Sequence, residues 1–274
     1  MPTIETIINA RGNRSVTAAV RELICYRDLL YFLTVKNYII KYKQTLIGVT
    51  WAVLQPVLQM VVFSIIFGKF AHIPSDNAPY PIFVYSALIP WTFFANSISA
   101  CNNSIINHAA LINKVYFPRL LIPLSAVGSQ LIDFGISFIV LIGIMIYYGF
   151  PFTPGLFTII PLLLVILIAA IGCGALVSAL SGIYRDFRHI VPFLLSIGMF
   201  LTPVIYPTSI IGSRFEFLLN LNPLTGIVSG FRSAILSQPF QWNSILISVI
   251  GSFLLLIAGV AYFNQAQKRF ADLV

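Results

Sequence analysis

Long stretches without a charged side chain are the feature that most constrains the fold of this sequence. Five of them cover residues 44–68, 77–113, 134–184, 189–213 and 233–267. Soluble domains carry about 25% charged residues, whereas 9% of this chain is charged and 58% is hydrophobic. So few charges cannot cover the surface of a water-soluble globule. The composition therefore predicts an all-α integral membrane protein and excludes soluble enzymes, nucleic-acid-binding proteins and disordered regulators.

Turn signals divide the charge-free stretches into segments of the length that a membrane requires. A helix needs about 20 mostly apolar residues to cross roughly 30 Å of hydrocarbon, and glycine, proline and polar clusters mark the breaks between helices. The predicted spans are 46–70, 82–103, 120–148, 156–182, 189–206 and 243–264. We therefore expect six transmembrane helices.

The basic residues predict the orientation. Most of the 16 lysines and arginines precede the first span, follow the sixth, or lie between spans two and three or four and five. The opposite side would hold only Lys69, Arg214 and Arg232. Because lysine and arginine are enriched on the cytoplasmic side, both termini are predicted to be cytoplasmic. The predicted domains are a cytoplasmic N-terminus over 1–45, a transmembrane domain over 46–264 and a cytoplasmic tail over 265–274.

An amphipathic helix is predicted over residues 16–33. At about 100° per residue, its apolar face contains Val16, Val20, Leu23, Tyr26, Leu30 and Leu33. Arg21 and Asp28 lie on the opposite face, and Arg27 intrudes on the apolar one. A helix this short and charged should lie in the membrane interface, with residues 38–43 following at headgroup level. It is either a simple anchor or a lever that also contacts a cytoplasmic partner.

Catalytic and metal-binding patterns are missing from the sequence. No G-x-x-x-x-G-K-[ST] motif for nucleotide hydrolysis is found, and His72, His108 and His189 fall in three different loops. We therefore expect no metal site, no enzymatic activity and no cofactor on this chain. Asp133 is the one acid inside a predicted span. It could form structural hydrogen bonds, line a hydrated pathway or couple transport to protons.

Small residues recur every fourth position in the fourth predicted span, at Ala170, Gly174, Ser178 and Gly182. This spacing lets two helix backbones approach closely. We expect it to mediate helix packing within the bundle or between subunits.

Four sequence stretches are similar to those of one known family. They cover 41–48 (KYKQTLIG) with 51–56, 111–119 (LINKVYFPR), 184–189 (YRDFRH) with 202–207, and 222–226 (NPLTG) with 231–232. In this order, they resemble the permease subunit of type-2 ABC exporters, in the branch that exports O-antigen, capsular polysaccharide or teichoic acid. The resemblance covers the chain from about residue 21 to residue 269.

The resemblance implies two contacts with an ATPase subunit. The first is a coupling segment with an exposed Tyr116-Phe117 pair, containing Asn113, Lys114, Val115, Tyr116, Phe117 and Arg119. The second is smaller and contains Arg185, Asp186 and Arg188. Alternatively, the first is a turn on the membrane surface, and Arg185 pairs with Asp186 or with headgroups.

The resemblance also implies a substrate path. Residues 207–240 would form re-entrant gate helices on the external side, containing Asn222, Pro223, Phe231 and Arg232. Arg232 would be buried, face the pathway or reach headgroups. The first and fifth spans would form the pore wall, with Trp51, Gln55, Gln59, Ser196, Met199 and Thr202 as lining candidates.

The implied function is transport without catalysis by this chain. Two copies of the permease would work with a separate nucleotide-binding ATPase, which holds ATP and Mg²⁺, to move a lipid-linked glycan across the bacterial inner membrane. A drug or lipid permease of the same fold is one alternative. An ion-coupled carrier is another, but it predicts internal repeats, and residues 46–148 do not correspond to 156–264.

Overall fold

The computed structural model describes residues 24–43, 45–76, 78–210 and 219–267, and within these ranges the chain forms helices and no β-strand. This agrees with the predicted all-α class. The α-helices are α1 (Arg27–Tyr42), α2 (Thr50–Phe63), α3 (Tyr80–Asn107), α4 (Ala109–Lys114), α5 (Leu121–Tyr147), α6 (Ile159–Ile183), α7 (Phe187–Leu201), α8 (Pro223–Leu236) and α9 (Trp242–Ala266).

Five helical segments within the described ranges are long and apolar enough to cross a membrane. They are Thr50–Phe70, Tyr80–Asn107, Leu121–Tyr147, Pro154–Ile183 and Trp242–Ala266. In the first, α2 continues as a π-helix over Ser64–Phe70, and in the fourth a 3₁₀ turn precedes α6. These segments coincide with predicted spans one to four and six.

The fifth predicted span has a different structure. Its helix α7 contains 15 residues, which corresponds to roughly 22 Å at 1.5 Å per residue. Residues 202–207 continue in a non-helical path. Because α7 alone is shorter than the hydrocarbon thickness of about 30 Å, the count of six spans stays a prediction at this segment.

Helix α3 lies at the centre of the bundle. In an apolar stretch of 18 residues of this helix, 78% is buried, against 11% for the first span. Helix α6 packs closely on it. A Cβ added to Gly174 would lie 2.7 Å from the Sγ of Cys101, and the hydroxyls of Ser104 and Ser178 are 3.0 Å apart. The small residues of α6 therefore mediate helix packing, as predicted.

A second close approach, between α6 and α9, was not predicted. A Cβ added to Gly259 would collide with the carbonyl oxygen of Gly172, and one added to Gly172 would collide with the backbone at Leu256. Only hydrogen atoms fit at this crossing. The sequence pattern missed it because the two glycines lie in different helices and outside the four-residue repeat.

The loops gather at the two ends of the bundle, through hydrogen bonds at one end and through apolar contacts at the other. At one end, the 71–79 loop contacts the segments after α7 and α8, because Ser209 donates to the Asp76 carboxylate at 3.0 Å and Gln238 donates to the Asp76 carbonyl at 3.4 Å. At the other end, α1, α4 and the last turn of α9 meet in one apolar cluster. This second end is the one that the sequence analysis predicts to be cytoplasmic.

Helix α1 differs from its predicted bounds, because it continues to Tyr42 instead of ending near residue 33. Its predicted apolar face is confirmed where it is described, since Leu33 is buried and Tyr26 and Leu30 pack beside it. Arg27 and Asp28 are exposed and form an ion pair at 3.7 Å. Arg21 and the rest of the predicted helix, residues 16–23, lie outside the described residues.

Candidate functional site

The predicted coupling segment forms a short projection between α3 and α5. The helix α3 ends at Asn107, and the six-residue helix α4 is followed by extended backbone at Val115. Lys114, Val115 and Tyr116 are exposed, the tyrosine at 64%. They border a surface depression of about 240 Å³ together with Ile112, Phe117 and Arg119. Asn113 belongs to α4, but its side chain lies outside the described part.

The predicted exposure of Phe117 is wrong. Its side chain is 5% exposed and belongs to an apolar cluster with Leu33 of α1, Ile105 of α3 and Phe263 of α9. Adjacent side chains of an extended segment point to opposite sides, so the backbone that exposes Tyr116 turns Phe117 inwards. Phe117 therefore anchors the projection to the bundle, and Tyr116 provides its exposed aromatic surface.

Arg119 is also an anchor, and its predicted contact with an ATPase subunit stays a prediction. Its guanidinium donates to the backbone carbonyl of Gln267, at the C-terminal end of α9. A cation is stabilised there by the negative end of the helix dipole. The coupling segment is thus fixed to the last helix of the bundle.

The second predicted contact lies in the turn between α6 and α7. Arg185 and Asp186 are exposed there, and neither forms an ion pair with another described residue. Arg188 is half-buried, and its backbone carbonyl accepts a hydrogen bond at 3.3 Å from Asn102 of α3. The oxygen of the same Asn102 amide accepts a hydrogen bond from Ser181. This turn is therefore fixed to the last turns of α3 and α6.

The predicted gate is described over residues 207–210 and 219–240, and its longest helix is α8. Asn222 caps its start, because its side-chain oxygen accepts from the backbone N–H of Leu224 at 3.0 Å, and Pro223 occupies the first helical position, where proline is favoured. All residues of 224–236 are buried, including Phe231. With 14 residues, α8 is too short to span a bilayer. Its predicted re-entrant position remains a prediction, and residues 211–218 lie outside the described ranges.

Arg232 is buried within the bundle and does not reach headgroups. Its side chain donates to the carbonyl oxygens of Pro203 at 2.8 Å, Val204 at 2.9 Å and Tyr206 at 3.3 Å. Its guanidinium carbon lies 3.8 Å from the centre of the Phe83 ring. Carbonyl dipoles and an aromatic face thus stabilise its charge, and Arg232 in turn satisfies the non-helical backbone that follows α7.

The predicted pore residues divide into three groups. Trp51, Gln55 and Ser196 are exposed, whereas Gln59 and Met199 are half-buried. Thr202 is fully buried, and its role as a pore-lining residue stays a prediction. Its hydroxyl donates to the Gly198 carbonyl at 2.9 Å and accepts from Asn222 at 2.8 Å. Thr202 therefore connects the end of α7 to the start of α8.

A polar cluster, formed by Lys41, Tyr42, Gln130 and Asp133, was not predicted. The ammonium of Lys41 lies 2.6 Å from the Asp133 carboxylate and donates to the Gln130 amide oxygen at 2.9 Å. The Tyr42 hydroxyl donates to Asp133 at 2.8 Å. Burial and the hydrogen bond to Asp133 raise the pKa of Tyr42 above its ordinary value, so this hydroxyl remains a donor.

The cluster borders a small cavity between α2, α3 and α5. The cavity has a volume of about 30 Å³ and is also lined by Gln55, Gln59 and Asn96. The side-chain oxygen of Gln59 is buried there and accepts no hydrogen bond from the described residues. Asp133 thus has a basic partner, which the sequence analysis did not predict, and the position of Lys41 at headgroup level stays a prediction. No group of three or more His, Cys, Asp or Glu that could hold a metal occurs in the described ranges.

Comparison with known proteins gives matches over most of the chain. The model of the ABC-2 type transporter family matches residues 28–236, from the start of α1 to the end of α8. The O-antigen export system permease protein RfbA of Klebsiella pneumoniae is 29% identical over 248 residues, which cover 90% of this chain and 95% of that protein. The protein of the same name from Myxococcus xanthus is 28% identical over 257 residues, or 92% and 98% of the two chains.

A protein named for polysialic acid transport is also similar. The polysialic acid transport protein KpsM of Escherichia coli is 24% identical over 232 residues, which cover 81% of this chain and 87% of that protein. The range matched by the family model includes the coupling segment, the polar cluster and α8.

Proposed function

Because the chain belongs to the ABC-2 type transporter family, we propose that it is the permease subunit of an exporter that moves a polysaccharide across the bacterial cytoplasmic membrane. The observation that carries this proposal is the nearly end-to-end similarity to proteins named for O-antigen export and polysialic acid transport. Both cargoes are polysaccharides. The sequence has no phosphate-binding loop, so ATP and Mg²⁺ would bind to a separate ATPase subunit.

The ATPase would dock on the end of the bundle that contains α4 and the turn between α6 and α7. Lys114, Val115 and Tyr116 supply one exposed surface, and Arg185 and Asp186 supply a second one. Phe117 and Arg119 fix the first surface to α3 and α9. A docking surface that is exposed on one side and anchored on the other can pass a displacement into the bundle. In this arrangement both termini are cytoplasmic.

The polymer would pass between two copies of the permease. Exposed apolar side chains cover much of α2 and α7, among them Trp51, Phe193 and Leu201. The exposed polar residues Gln55 and Ser196 lie on the same two helices. A path between copies can admit a long, lipid-linked chain, because it does not need to enclose the cargo in a pocket.

Two measurements test this function. A bacterium that lacks the gene should accumulate a glycan inside the cell and lose it from the surface, and the cloned gene should restore export. The purified permease should bind its ATPase subunit, whereas in liposomes without the ATPase it should transport nothing against a gradient. Uphill transport by the permease alone would refute the proposal, as would an unchanged cell-surface glycan in the deletion strain.

A further inference from the structure

The polar cluster joins the end of α1 to the middle of α5, a candidate transmembrane helix. Asp133 lies twelve positions after the start of α5 at Leu121, which corresponds to about 18 Å along that helix. An ionisable group at such a depth is costly unless a partner compensates it. Lys41 and Tyr42 donate to the Asp133 carboxylate at 2.6 and 2.8 Å, and Lys41 also donates to the Gln130 amide oxygen at 2.9 Å. The charge of Asp133 is therefore partnered within the protein.

Further contacts along α1 hold it against α5. Asn37 donates to the Ser125 hydroxyl at 3.1 Å. Thr34 packs against Gly128 so closely that a Cβ at position 128 would lie 3.0 Å from the threonine hydroxyl. Leu33 is buried in the same apolar cluster as Phe117 of the coupling segment. Helix α1 is therefore packed on α5 along its length and on the coupling segment as well.

Helix α2 is attached much less firmly. The chain between α1 and α2 is non-helical over residues 45–49, and Gly48 adopts a φ of +58° with no atom near the position of a Cβ. The first span is also the least buried of the five candidate spans. The backbone at Gly48 is thus free to act as a hinge. The helix before it, α1, is densely packed, and the helix after it, α2, is sparsely packed.

We propose that the Lys41–Asp133 pair is a clamp that makes α1, α5 and the coupling segment one rigid body, to which the first span is hinged at Gly48. This rests on the proposed function, because the body would receive its displacement from the ATPase at the coupling segment and deliver it to α2. Lys41 and Asp133 are positioning residues: they set where α2 and its residues Gln55 and Gln59 stand, and they do not contact the polymer.

A double-mutant cycle tests the clamp. Asp133→Asn and Lys41→Met each leave one charge without its partner, and each should lower export per assembled complex by about tenfold, in line with coupling energies between contacting residues. ATP hydrolysis should persist, so that the amount of polymer exported per ATP falls. The double variant should export no less than either single variant. Lys36→Met, which removes an exposed lysine from the same helix, should leave export unchanged.

If the losses of export in the two single variants added up in the double variant, the two residues would act independently. This result would overturn the proposal. Unchanged export in Lys41→Met would overturn it as well, since Asp133 would then act without the clamp.

A disulfide provides an independent test of the rigid body. A Cβ at position 128 would lie 3.7 Å from the Cβ of Thr34, within the range of about 3.5–4.5 Å that a disulfide requires. The pair Thr34→Cys and Gly128→Cys should therefore cross-link α1 to α5, as measured by peptide mass spectrometry. The cross-linked permease should retain export, and the cross-link should restore export to Asp133→Asn. The parent chain with Cys25, Cys101 and Cys173, oxidised in the same way, is the control.

Loss of export on cross-linking, with recovery on reduction, would show that α1 slides on α5 and would refute the clamp. Failure of the cross-link to restore export to Asp133→Asn would refute it too. The formation of the disulfide requires no cargo. If the unaltered permease exported no polysaccharide, the proposed function would fail although this cross-link still formed.

Discussion

Replacement of Arg232 by methionine should destabilise the bundle strongly, because it removes three hydrogen bonds without leaving a large cavity. The carbonyl oxygens of Pro203, Val204 and Tyr206 would lose their donor. Hydrogen bonds to charged groups contribute about 1.5–3 kcal/mol each, and the relief of burying the guanidinium offsets part of this. The net cost should resemble that of breaking a buried ion pair, about 3–5 kcal/mol.

The free energy of unfolding in mixed micelles measures this cost, and two further variants serve as comparisons. Arg232→Lys keeps the charge but offers one compact ammonium in place of a planar fork, so it should lie between the wild type and Arg232→Met. Arg185→Met removes an exposed arginine and should change stability by less than about 0.5 kcal/mol. If Arg232→Met also stayed within that limit, the carbonyl contacts would not hold the segment after α7.

Cys173 offers a local readout of the same change. It lines a cavity of about 580 Å³ together with Thr202 and Tyr206, and it is half-buried. When Arg232 no longer holds residues 203–206, this cavity should open, and Cys173 should react faster with a membrane-permeant maleimide. Cys101 is fully buried and should remain unreactive, whereas the exposed Cys25 is replaced by serine beforehand. Equal alkylation rates in the wild type and Arg232→Met would contradict the proposed role of the arginine.

Three further predictions concern the ends and crossings of the helices. Tyr116→Asp should abolish co-purification with the ATPase at normal permease yield, whereas Phe117→Asp should lower the yield of monodisperse permease itself; equal behaviour of the two variants in size-exclusion chromatography would contradict the assignment. Gly259→Leu should prevent folding, because its side chain would collide with α6, and Gly135→Leu should fold normally, because the space around Gly135 is open. Asn222→Ala should cost about 1 kcal/mol of stability through the lost helix cap, and Asn222→Asp, which restores the cap, should recover most of it.

The transmembrane helices could be predicted from the sequence because their length and lack of charge are set by the bilayer itself. Five of the six predicted spans coincide with helices long enough to cross it. The apolar face of α1 could be predicted for the same reason, since its period depends on local residues alone. Both predictions require no knowledge of which helices are neighbours.

The contacts of individual polar residues could not be predicted, because they join distant parts of the chain. Lys41 and Asp133 are 92 positions apart. Hydropathy places the lysine before one span and the acid within another, but it does not indicate that the two side chains pair. Tyr116 and Phe117 are alike in aromatic character, so only the backbone direction decides which one is buried. The sequence predicted that both side chains are exposed, whereas the structure exposes Tyr116 and buries Phe117.

Arg232 shows why a basic residue in a half-apolar segment is easily misinterpreted. A hydropathy scale assigns an arginine a free-energy cost within the bilayer and therefore favours a position at the membrane surface. Where a helix ends inside the bundle, however, the carbonyl groups beyond its last turn have no water to accept from, and each costs several kcal/mol if it stays unsatisfied. The helix α7 ends in this way at Leu201, and the three carbonyls that follow need a donor with several N–H groups. A planar guanidinium meets this need from one position, so the break in α7 and the burial of Arg232 explain each other.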